Sequence, residues 1–202
     1  MIVKIVLLLG YLVWMLIRVT LFIKYREITT STIGADLKRR LFFIAVDLGI
    51  LGAVVFQLGI SDMGKINLME PYYSCLMFLG FFLFLSGVFL SSWGRIALNK
   101  NWITAGMTGV SPKSNHQIVT TGPYSLIRHP IYFGSWLMGI GFEFTLVNWL
   151  FFLIILFIPF LYFQARFEEK TLKQFLPKYD SYMKRTGMFL PRITHKRSLA
   201  KS

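Results

Sequence analysis

The sequence predicts an all-α integral membrane protein with about five transmembrane helices and a helical hairpin near its C-terminal end. Of its 202 residues, 55% are hydrophobic. The apolar residues come in blocks of about 20 residues or more, which is the length that an α-helix needs to cross a bilayer. The Lys and Arg residues, which give the chain a net charge of +13, cluster between these blocks and in the C-terminal tail.

The strong positive charge would, by itself, also suit a nucleic-acid-binding protein. We reject that class because the basic residues alternate with apolar blocks instead of forming one basic surface. Positive loops beside a bilayer orient a membrane protein and attract anionic lipids. We therefore expect membrane lipids and no nucleic acid as partners, in a single domain spanning residues 1–202. The oligomeric state stays open.

Three predicted helices make up the N-terminal part of the chain, residues 1–97: about 2–23, 41–60 and 72–97. The first block is too long for the apolar region of a signal peptide and has no small-residue cleavage site. Arg18 is expected to extend toward the basic loop that follows. Asp47 is a functional candidate because acids inside membrane segments are costly. Cys75 is predicted to be a small buried hydrophobe rather than a catalytic thiol.

The last apolar block, Ile131 to Phe167, is too long for one span. Polar residues that suit a turn lie near its middle: Glu143, Thr145 and Asn148. The block therefore predicts two antiparallel helices, about 131–145 and 148–168, with Glu143 close to the turn.

The distribution of basic residues supports five spans. Loops 24–40 and 98–130 and the tail after residue 165 are rich in Lys and Arg, whereas loop 61–71 has one such residue and turn 145–148 has none. Because positive loops stay on the cytoplasmic side, the long loop and the tail are expected on that same face. A soluble cofactor could meet a lipid-borne substrate there.

Arg128, His129 and Pro130 come directly before the predicted hairpin. Pro130 suits the first turn of a helix, and the free backbone N–H groups of a helix N-terminus favour an anion or a carboxylate. The alternative is an interfacial Arg and His that merely cap a membrane helix. Their spacing does not decide between the two.

A second polar group, Arg166, Glu168 and Glu169, follows the last predicted span. In isolation, such a group is more typical of a solvated helix start than of a site. Because the tail and the long loop are expected on one membrane face, however, the two polar groups could face each other and form one site.

Aromatic residues recur at helical spacing after these acids. The series is Phe175, Tyr179, Tyr182 and Arg185. It predicts an amphipathic helix that packs on the protein or on the membrane surface. Gly187 and Pro191 are expected to end it.

Other common site patterns are not found in the sequence. His116, His129 and His195 have no Cys partners and no HxxxH spacing, so no metal site is predicted. Gly139 and Gly141 lie inside a membrane helix and lack the third glycine of a dinucleotide loop, so they indicate helix packing.

Residues 116–134, HQIVTTGPYSLIRHPIYFG, resemble the signature of the isoprenylcysteine carboxyl methyltransferase family and the related membrane phospholipid methyltransferases. Residues 167–193, FEEKTLKQFLPKYDSYMKRTGMFLPRI, resemble the C-terminal pattern of the same family, and Asn101-Trp102 resembles a further common element. The resemblance covers about half of the chain, roughly residues 95–193, which defines a methyltransferase-like part at 98–193 and a basic tail at 194–202.

The resemblance implies S-adenosylmethionine as the methyl donor and a cytoplasmic cofactor pocket built from the long loop, the hairpin and the tail. It also implies that Arg166 faces the substrate and that Glu168 belongs to the catalytic site. The positions that match the family's cofactor contacts are His116, Gln117, Ile118, Val119, Tyr124, His129, Pro130, Ile131, Tyr132, Glu168 and Glu169.

The chain departs from the family pattern at three places. The spacing from the acid pair to Phe175 is one residue shorter than usual, which favours Glu168 slightly over Glu169 as the cofactor contact. Arg166 lies closer to the acids than in the pattern, which puts its substrate contact in doubt. Leu176 stands where the family has Gly.

Three functions remain after this comparison. The first is methyl transfer to a lipophilic acceptor, most simply a carboxylate of the isoprenylcysteine type, otherwise a phospholipid amine or a small hydrophobic thiol. The second is an NADPH-dependent membrane reductase of the sterol-reductase type, which shares an RHPxYxG-like segment but has an acid where this chain has Ser135. The third is a non-catalytic scaffold. A bacterial inner membrane and the endoplasmic reticulum both suit the predicted multi-pass topology.

Overall fold

The computed structural model describes residues 2–24, 33–61, 63–101 and 117–192. Three sequence predictions lie outside these ranges: the cofactor contact at His116, the family element at Trp102, and the basic tail at 194–202.

The described residues form an all-helical structure, which confirms the all-α part of the predicted fold class. Its α-helices are α1 (Ile2–Lys24), α2 (Ile33–Gly59), α3 (Tyr72–Leu98), α4 (Pro130–Leu146), α5 (Phe151–Leu156), α6 (Ile158–Phe175) and α7 (Tyr179–Arg185). Short 3-10 turns follow α3 and precede α4. Apolar segments fold this way because backbone N–H and C=O groups in lipid must find partners within their own segment.

Three stretches are long and apolar enough to cross a membrane: α1, α3 and the nearly continuous run Phe151–Phe175 formed by α5 and α6. The apolar part of α2 is shorter, Ile44–Gly59, and α4 has 17 residues. Three of the five predicted spans therefore have the length and composition of membrane-crossing helices. For α2 and α4, a membrane span stays a prediction.

The predicted start of the second helix is wrong. α2 begins at Ile33, so residues 33–40, which were expected in a basic loop, form its first turns. Hydropathy marks only the part of a helix that suits lipid. Lys, Arg and Leu are good helix formers, so nothing in their chemistry stops the helix where the apolar block begins.

The helical hairpin is confirmed, with its turn at residues 147–150. Val147 has a left-handed backbone (φ 52°) and ends α4. The Asn148 side chain accepts a hydrogen bond from the Leu150 backbone at 3.1 Å, and its own amide donates to the Met63 carbonyl at 3.0 Å. The polar residues near the middle of the block therefore close the turn and attach it to the loop after α2.

The second arm of the hairpin differs from the prediction in two ways. It is interrupted at Phe157, two residues before Pro159, because proline lacks the N–H that would continue the helical ladder. It also ends at Phe175 instead of residue 168. Glu, Lys, Leu and Gln continue a helix well beyond the point where it leaves the apolar layer.

The closest packing in the fold is between α3 and α4. A Cβ atom added at Gly87 would lie 2.6 Å from the Gly134 carbonyl oxygen, and one added at Gly141 would lie 2.7 Å from that of Gly80. Small residues let membrane helices approach to backbone contact. The helix-packing interpretation is therefore confirmed for Gly141, whereas Gly139 faces a side chain of α5.

α1 packs on this pair of helices. Trp14 is buried and donates from Nε1 to the Ser91 hydroxyl at 2.8 Å. Leu7, also buried, lies in the same hydrophobic cluster as Phe84. The third predicted helix carries Cys75 on its outer side, so this thiol is exposed and its predicted burial is wrong.

The predicted amphipathic helix is broken at its first aromatic residue. α6 ends at Phe175, the chain turns, and α7 begins at Tyr179. Leu176 is extended (φ −126°, ψ 94°) because it precedes Pro177, whose ring disfavours a helical residue before it. Tyr179 is buried while Phe175 is exposed, so the aromatic residues do not form one stripe.

Adding a methyl group between α3 and α4 should destabilise the fold. For Gly87→Ala and Gly141→Ala we expect losses of about 1–3 kcal/mol each, because the new Cβ meets backbone atoms that cannot move aside. Gly52→Ala on α2 is the matched control, since its Cβ would meet nothing within 4 Å. Thermal unfolding of the detergent-purified proteins would measure the difference. Equal melting of all three variants would contradict this close approach.

Candidate functional site

The long loop enters α4 through a compact turn. Gly122 has a positive φ of 60°, and Pro123 occupies the first turn of the short 3-10 helix Gly122–Ser125. This turn buries the Tyr124 side chain. Pro130 then starts α4, where a missing N–H costs nothing. The local turn chemistry thus places Arg128 and His129 at the N-terminal end of α4.

Arg128 forms a buried ion pair with Glu169. Its Nε lies 2.6 Å from Glu169 Oε1, and both side chains are less than a tenth exposed. Its Nη1 donates to the carbonyl oxygens of Met183 and Thr186. Arg128 therefore connects the loop before α4 with α6 and with the end of α7. Arg128 is therefore neither part of a free anion-binding site nor a simple helix cap, which were the two alternatives that the sequence left open.

The two adjacent acids face different surroundings. Glu169 is buried and also contacts His129, with 3.2 Å between Oε1 and Nε2. Glu168 is partly exposed and accepts a hydrogen bond from the Tyr132 hydroxyl at 2.8 Å. The His129 and Tyr132 rings stack in nearly parallel planes. Glu169 thus stabilises the assembly, and Glu168 presents its carboxylate to open space.

The C-terminal segment closes one side of this group. The backbone N–H groups of Arg128 and His129 donate to the carbonyls of Gly187 and Met188, at 2.9 and 3.1 Å. The Tyr182 hydroxyl donates to the Tyr124 carbonyl at 2.7 Å. The tail predicted to share a face with the long loop therefore does contact it.

Tyrosine hydroxyls in this region stay protonated near neutral pH. Burial raises the pKa of Tyr182 to about 12. Burial, reinforced by Glu168, also raises the pKa of Tyr124, and burial with Glu169 raises that of Tyr179. These phenols are therefore hydrogen-bond donors or neutral aromatic surfaces, and they add no negative charge.

A cavity of about 350 Å³ lies beside His129, Tyr132 and Glu168. Most of the residues predicted to contact a cofactor line it: Gln117, Ile118, Val119, Tyr124, His129, Ile131, Tyr132 and Glu168. Two others lie behind its wall, since Glu169 is held by Arg128 and Pro130 packs near Gly94. Arg166 is exposed and is not among the lining residues. The geometry thus brings together eight of the predicted residues and leaves Arg166 outside.

Sequence reasoning missed the part of the cavity that the N-terminal helices contribute. Trp14 and Arg18 of α1, Val46 and Ile50 of α2, and Arg95 of α3 line it. The sequence signal that could have found part of this wall is one basic and one acidic residue in neighbouring apolar blocks.

That pair of opposite charges is Arg18 and Asp47, which form an ion pair. Arg18 therefore does not extend toward the following loop, and Asp47 has a partner that the sequence analysis did not assign to it. The guanidinium groups of Arg18 and Arg95 each lie 5.6 Å from the centre of the Trp14 ring, in cation–π geometry.

The second arm of the hairpin contributes further lining residues that the sequence analysis missed, in addition to the predicted Glu168. From α5 to the end of α6, the lining residues run in the order Phe157, Phe160, Leu161, Gln164, Glu168 and Leu172. With a rise of about 1.5 Å per residue, Phe157 and Glu168 are about 16 Å apart along the axis. The cavity therefore has an apolar aromatic end and a polar end beside Glu168 and Tyr132.

Comparison with known proteins agrees with these features. Residues 75–178 match the family model described as phospholipid methyltransferase. The chain belongs to the phospholipid methyltransferase family. The match begins in α3 and ends just before α7, so it includes most of the cavity wall but neither α1 nor α2.

Three curated relatives overlap this region. The nickel-cobalt-cadmium resistance protein NccN of Alcaligenes xylosoxydans xylosoxydans is 29% identical over 54% of this chain and 58% of its own length. Protein-S-isoprenylcysteine O-methyltransferase of Saccharomyces cerevisiae is 37% identical over 40% of this chain and 35% of its own. The cobalt-zinc-cadmium resistance protein CzcN of Cupriavidus metallidurans is 33% identical over 54% and 47%.

The family match and the yeast relative confirm the resemblance to the isoprenylcysteine methyltransferase group and the prediction of a methyltransferase family. The chain spans between about a third and somewhat more than half of each relative's length. The activity and the substrate of the whole protein are therefore matters for proposal.

Disturbing the Arg128–Glu169 ion pair should destabilise the protein, because it leaves a buried charge without its full set of partners. Arg128→Lys cannot reproduce the contacts to a carboxylate and two carbonyls, and it should destabilise the protein by about 3 kcal/mol, as when a buried pair is broken. Asp180→Asn is the matched control because it removes an exposed ion pair with Lys173, worth at most about 1 kcal/mol.

Thermal melting and limited proteolysis of the C-terminal segment would test this difference. We expect earlier cleavage around α7 only for Arg128→Lys. Similar melting of the two variants would show that the buried pair does not hold the segment in place.

Proposed function

We propose that the protein is an S-adenosylmethionine-dependent methyltransferase that acts on a lipophilic acceptor at the membrane surface. The observation that supports this most directly is the cavity beside Glu168, lined at one end by residues of the family signature and at the other by aromatic and aliphatic side chains. Its volume of about 350 Å³ is typical of small-molecule sites.

The residues at the polar end suit the methyl donor. Glu168 offers a carboxylate that can accept hydrogen bonds from ammonium or hydroxyl groups, and the Tyr132 hydroxyl fixes its position. Aromatic faces attract a sulfonium cation, and both Tyr124 and Tyr132 line the cavity. When bound, the donor supplies the methyl group. The chain's own residues bind it, orient it and exclude water.

The simplest acceptor is a carboxylate. One of its oxygen lone pairs forms the new bond to the methyl carbon, and the electron pair of the breaking carbon–sulfur bond stays on sulfur. A carboxylate needs no base, so the rate would depend on alignment and on desolvation. The yeast relative, whose name describes an isoprenylcysteine O-methyltransferase, supports this acceptor class. The family description supports a phospholipid amine as the alternative.

The proposed place of reaction is the cytoplasmic face of a multi-pass membrane protein, in a bacterial inner membrane or the endoplasmic reticulum. The basic residues of the long loop and the tail support this orientation.

Two relatives are named for metal resistance. In the described ranges of this chain, no three His, Cys, Asp or Glu side chains lie together as metal ligands would. The proposal follows the family match and the yeast relative, which are both described as methyltransferases.

Binding of the methyl donor is the first test. We expect micromolar binding of S-adenosylmethionine to the detergent-purified protein by calorimetry. Glu168→Gln should weaken it about tenfold or more, because hydrogen bonds to a charged carboxylate are the stronger kind. Glu70→Gln, at an exposed acid in the loop before α3, is the control. Binding of NADPH instead would overturn the proposal in favour of the reductase.

The acceptor class can be read from the product. With radiolabelled methyl donor in lipid nanodiscs, we expect transfer to N-acetyl-S-farnesylcysteine and release of the label as methanol by mild base, as for an ester. Transfer to phosphatidylethanolamine would give a product that is stable to base, and it would show that the acceptor is an amine and not a carboxylate. Binding of the donor without transfer to either would exclude both acceptors.

A further inference from the structure

The cavity wall contains a buried amide donor without a well-formed hydrogen bond to the described part of the chain. Gln164 lies on α6 among the lining residues. Its Nε2 atom is buried and makes no hydrogen bond of good geometry to a described residue. An unsatisfied buried amide costs about 1–3 kcal/mol, so a donor at this place indicates a ligand that completes it.

The position of Gln164 along α6 suits the reactive end of a lipophilic molecule. It lies one helical turn after Phe160 and one turn before Glu168, on the same face of the helix. The apolar end of the cavity is on its Phe160 side, and the Tyr132–Glu168 hydrogen bond is on the other. An acceptor whose chain fills the aromatic end would place its head group next to Gln164.

Arg166 does not occupy this position. It is two residues further along α6, about 200° around the helix, and its side chain is exposed. The α6 side chain that can donate to a group at this place in the cavity is therefore a neutral amide.

The charges around the cavity favour an anionic head group. The charged residues that line it, together with the acids they bind, are Arg18, Arg95, Arg128, Asp47, Glu168 and Glu169. These six described groups balance to zero. S-adenosylmethionine brings one net positive charge at neutral pH. Because an uncompensated charge taken out of water is costly, a carboxylate acceptor balances the charge of the donor, whereas an ammonium group adds a second positive charge.

We propose that Gln164 is the specificity-determining residue for the acceptor, donating from Nε2 to one oxygen of an acceptor carboxylate while the other oxygen attacks the methyl group. This inference rests on the proposed methyltransferase function. The attacking oxygen forms the bond to carbon, the carbon–sulfur electron pair stays on sulfur, and the two opposite charges disappear without release of a proton.

A purely structural explanation makes a different prediction. The Gln164 side chain lies within hydrogen-bonding reach of the Tyr132 hydroxyl, although the geometry of Nε2 is not that of a formed hydrogen bond to any described residue. If Gln164 only supports Tyr132 and Glu168, its removal should weaken the methyl donor and leave the acceptor unaffected. Separate measurements of donor and acceptor therefore distinguish the two explanations.

The test uses the full chain in nanodiscs and three variants. Gln164→Leu removes the donor at similar volume, Gln164→Glu places a negative charge there, and Gln174→Leu makes the same change at an exposed site on the same helix. The probe is N-acetyl-S-farnesylcysteine, with S-farnesylcysteamine as its amine counterpart. Binding of both probes is measured by calorimetry on protein saturated with S-adenosylhomocysteine, and KM and kcat are measured with the methyl donor.

For Gln164→Leu we expect the carboxylate probe to bind about 10- to 100-fold more weakly, with KM raised to match and donor affinity unchanged, as when a hydrogen bond to a charged group is lost. Gln164→Glu should bind the carboxylate more weakly still and gain affinity for the amine. Gln174→Leu should behave as the parent protein. Melting temperatures confirm that the variants are folded.

Two results would overturn the inference while leaving the proposed function intact. In the first, both Gln164 variants bind the carboxylate probe within about twofold of the parent protein. Loss of one hydrogen bond to a charged group should weaken binding by more than that. The other is a loss of donor affinity with unchanged acceptor binding. Failure of the parent protein itself to bind S-adenosylmethionine would instead overturn the proposed function, and this inference with it.

Discussion

The buried ion pair between Arg128 and Glu169 holds three separate segments in one arrangement. Taking two charges out of water costs several kcal/mol, and their attraction offsets this only when every remaining donor is satisfied. Arg128 adds two hydrogen bonds from Nη1 to carbonyls at the end of α7, whereas Oε2 of Glu169 is buried without a hydrogen bond from any described residue. Glu169 is thereby withdrawn from the cavity. The adjacent Glu168 is left to bind Tyr132 and to present its charge to a ligand. Glu169 thus holds α6 in place, and this fixes the position from which Glu168 faces the cavity.

The ion pair can act in this way only because α4 begins at a defined place on α3. Gly94 allows Ile131 to lie against the α3 backbone, and Gly87 and Gly141 continue the close contact toward the opposite end. Membrane helices gain little from hydrophobic burial against one another, so backbone approach at small residues carries more of the packing energy. The signature residues at the start of α4 are therefore held against α3. The close α3–α4 contact fixes the position of the cavity wall that they form.

Much of this arrangement could be predicted from the sequence. Block length and polar residues locate α1, α3 and the hairpin turn, and the signature locates the residues around His129 and Tyr132. The start of α2 and the break at Phe157 could not be read from hydropathy, which measures preference for lipid and not helix length. The orientation of α6 was a different problem. A helix turns about 100° per residue, so Gln164 and Arg166, which are two residues apart, point to different sides of α6. Which of them faces the cavity depends on how α6 packs against its neighbours, and the sequence does not show this.

The same reasoning explains why the family match does not name the acceptor. Residues 75–178 include the loop, the hairpin and both acids, which are the parts of the cavity that suit a shared methyl donor. Trp14, Arg18, Val46 and Ile50 lie before that match and line the same cavity. A ligand that fills the whole cavity contacts side chains from both regions. Under the proposed function, α1 and α2 therefore form part of the wall that an acceptor contacts in addition to Gln164, and the Arg18–Asp47 ion pair joins those two helices at the cavity.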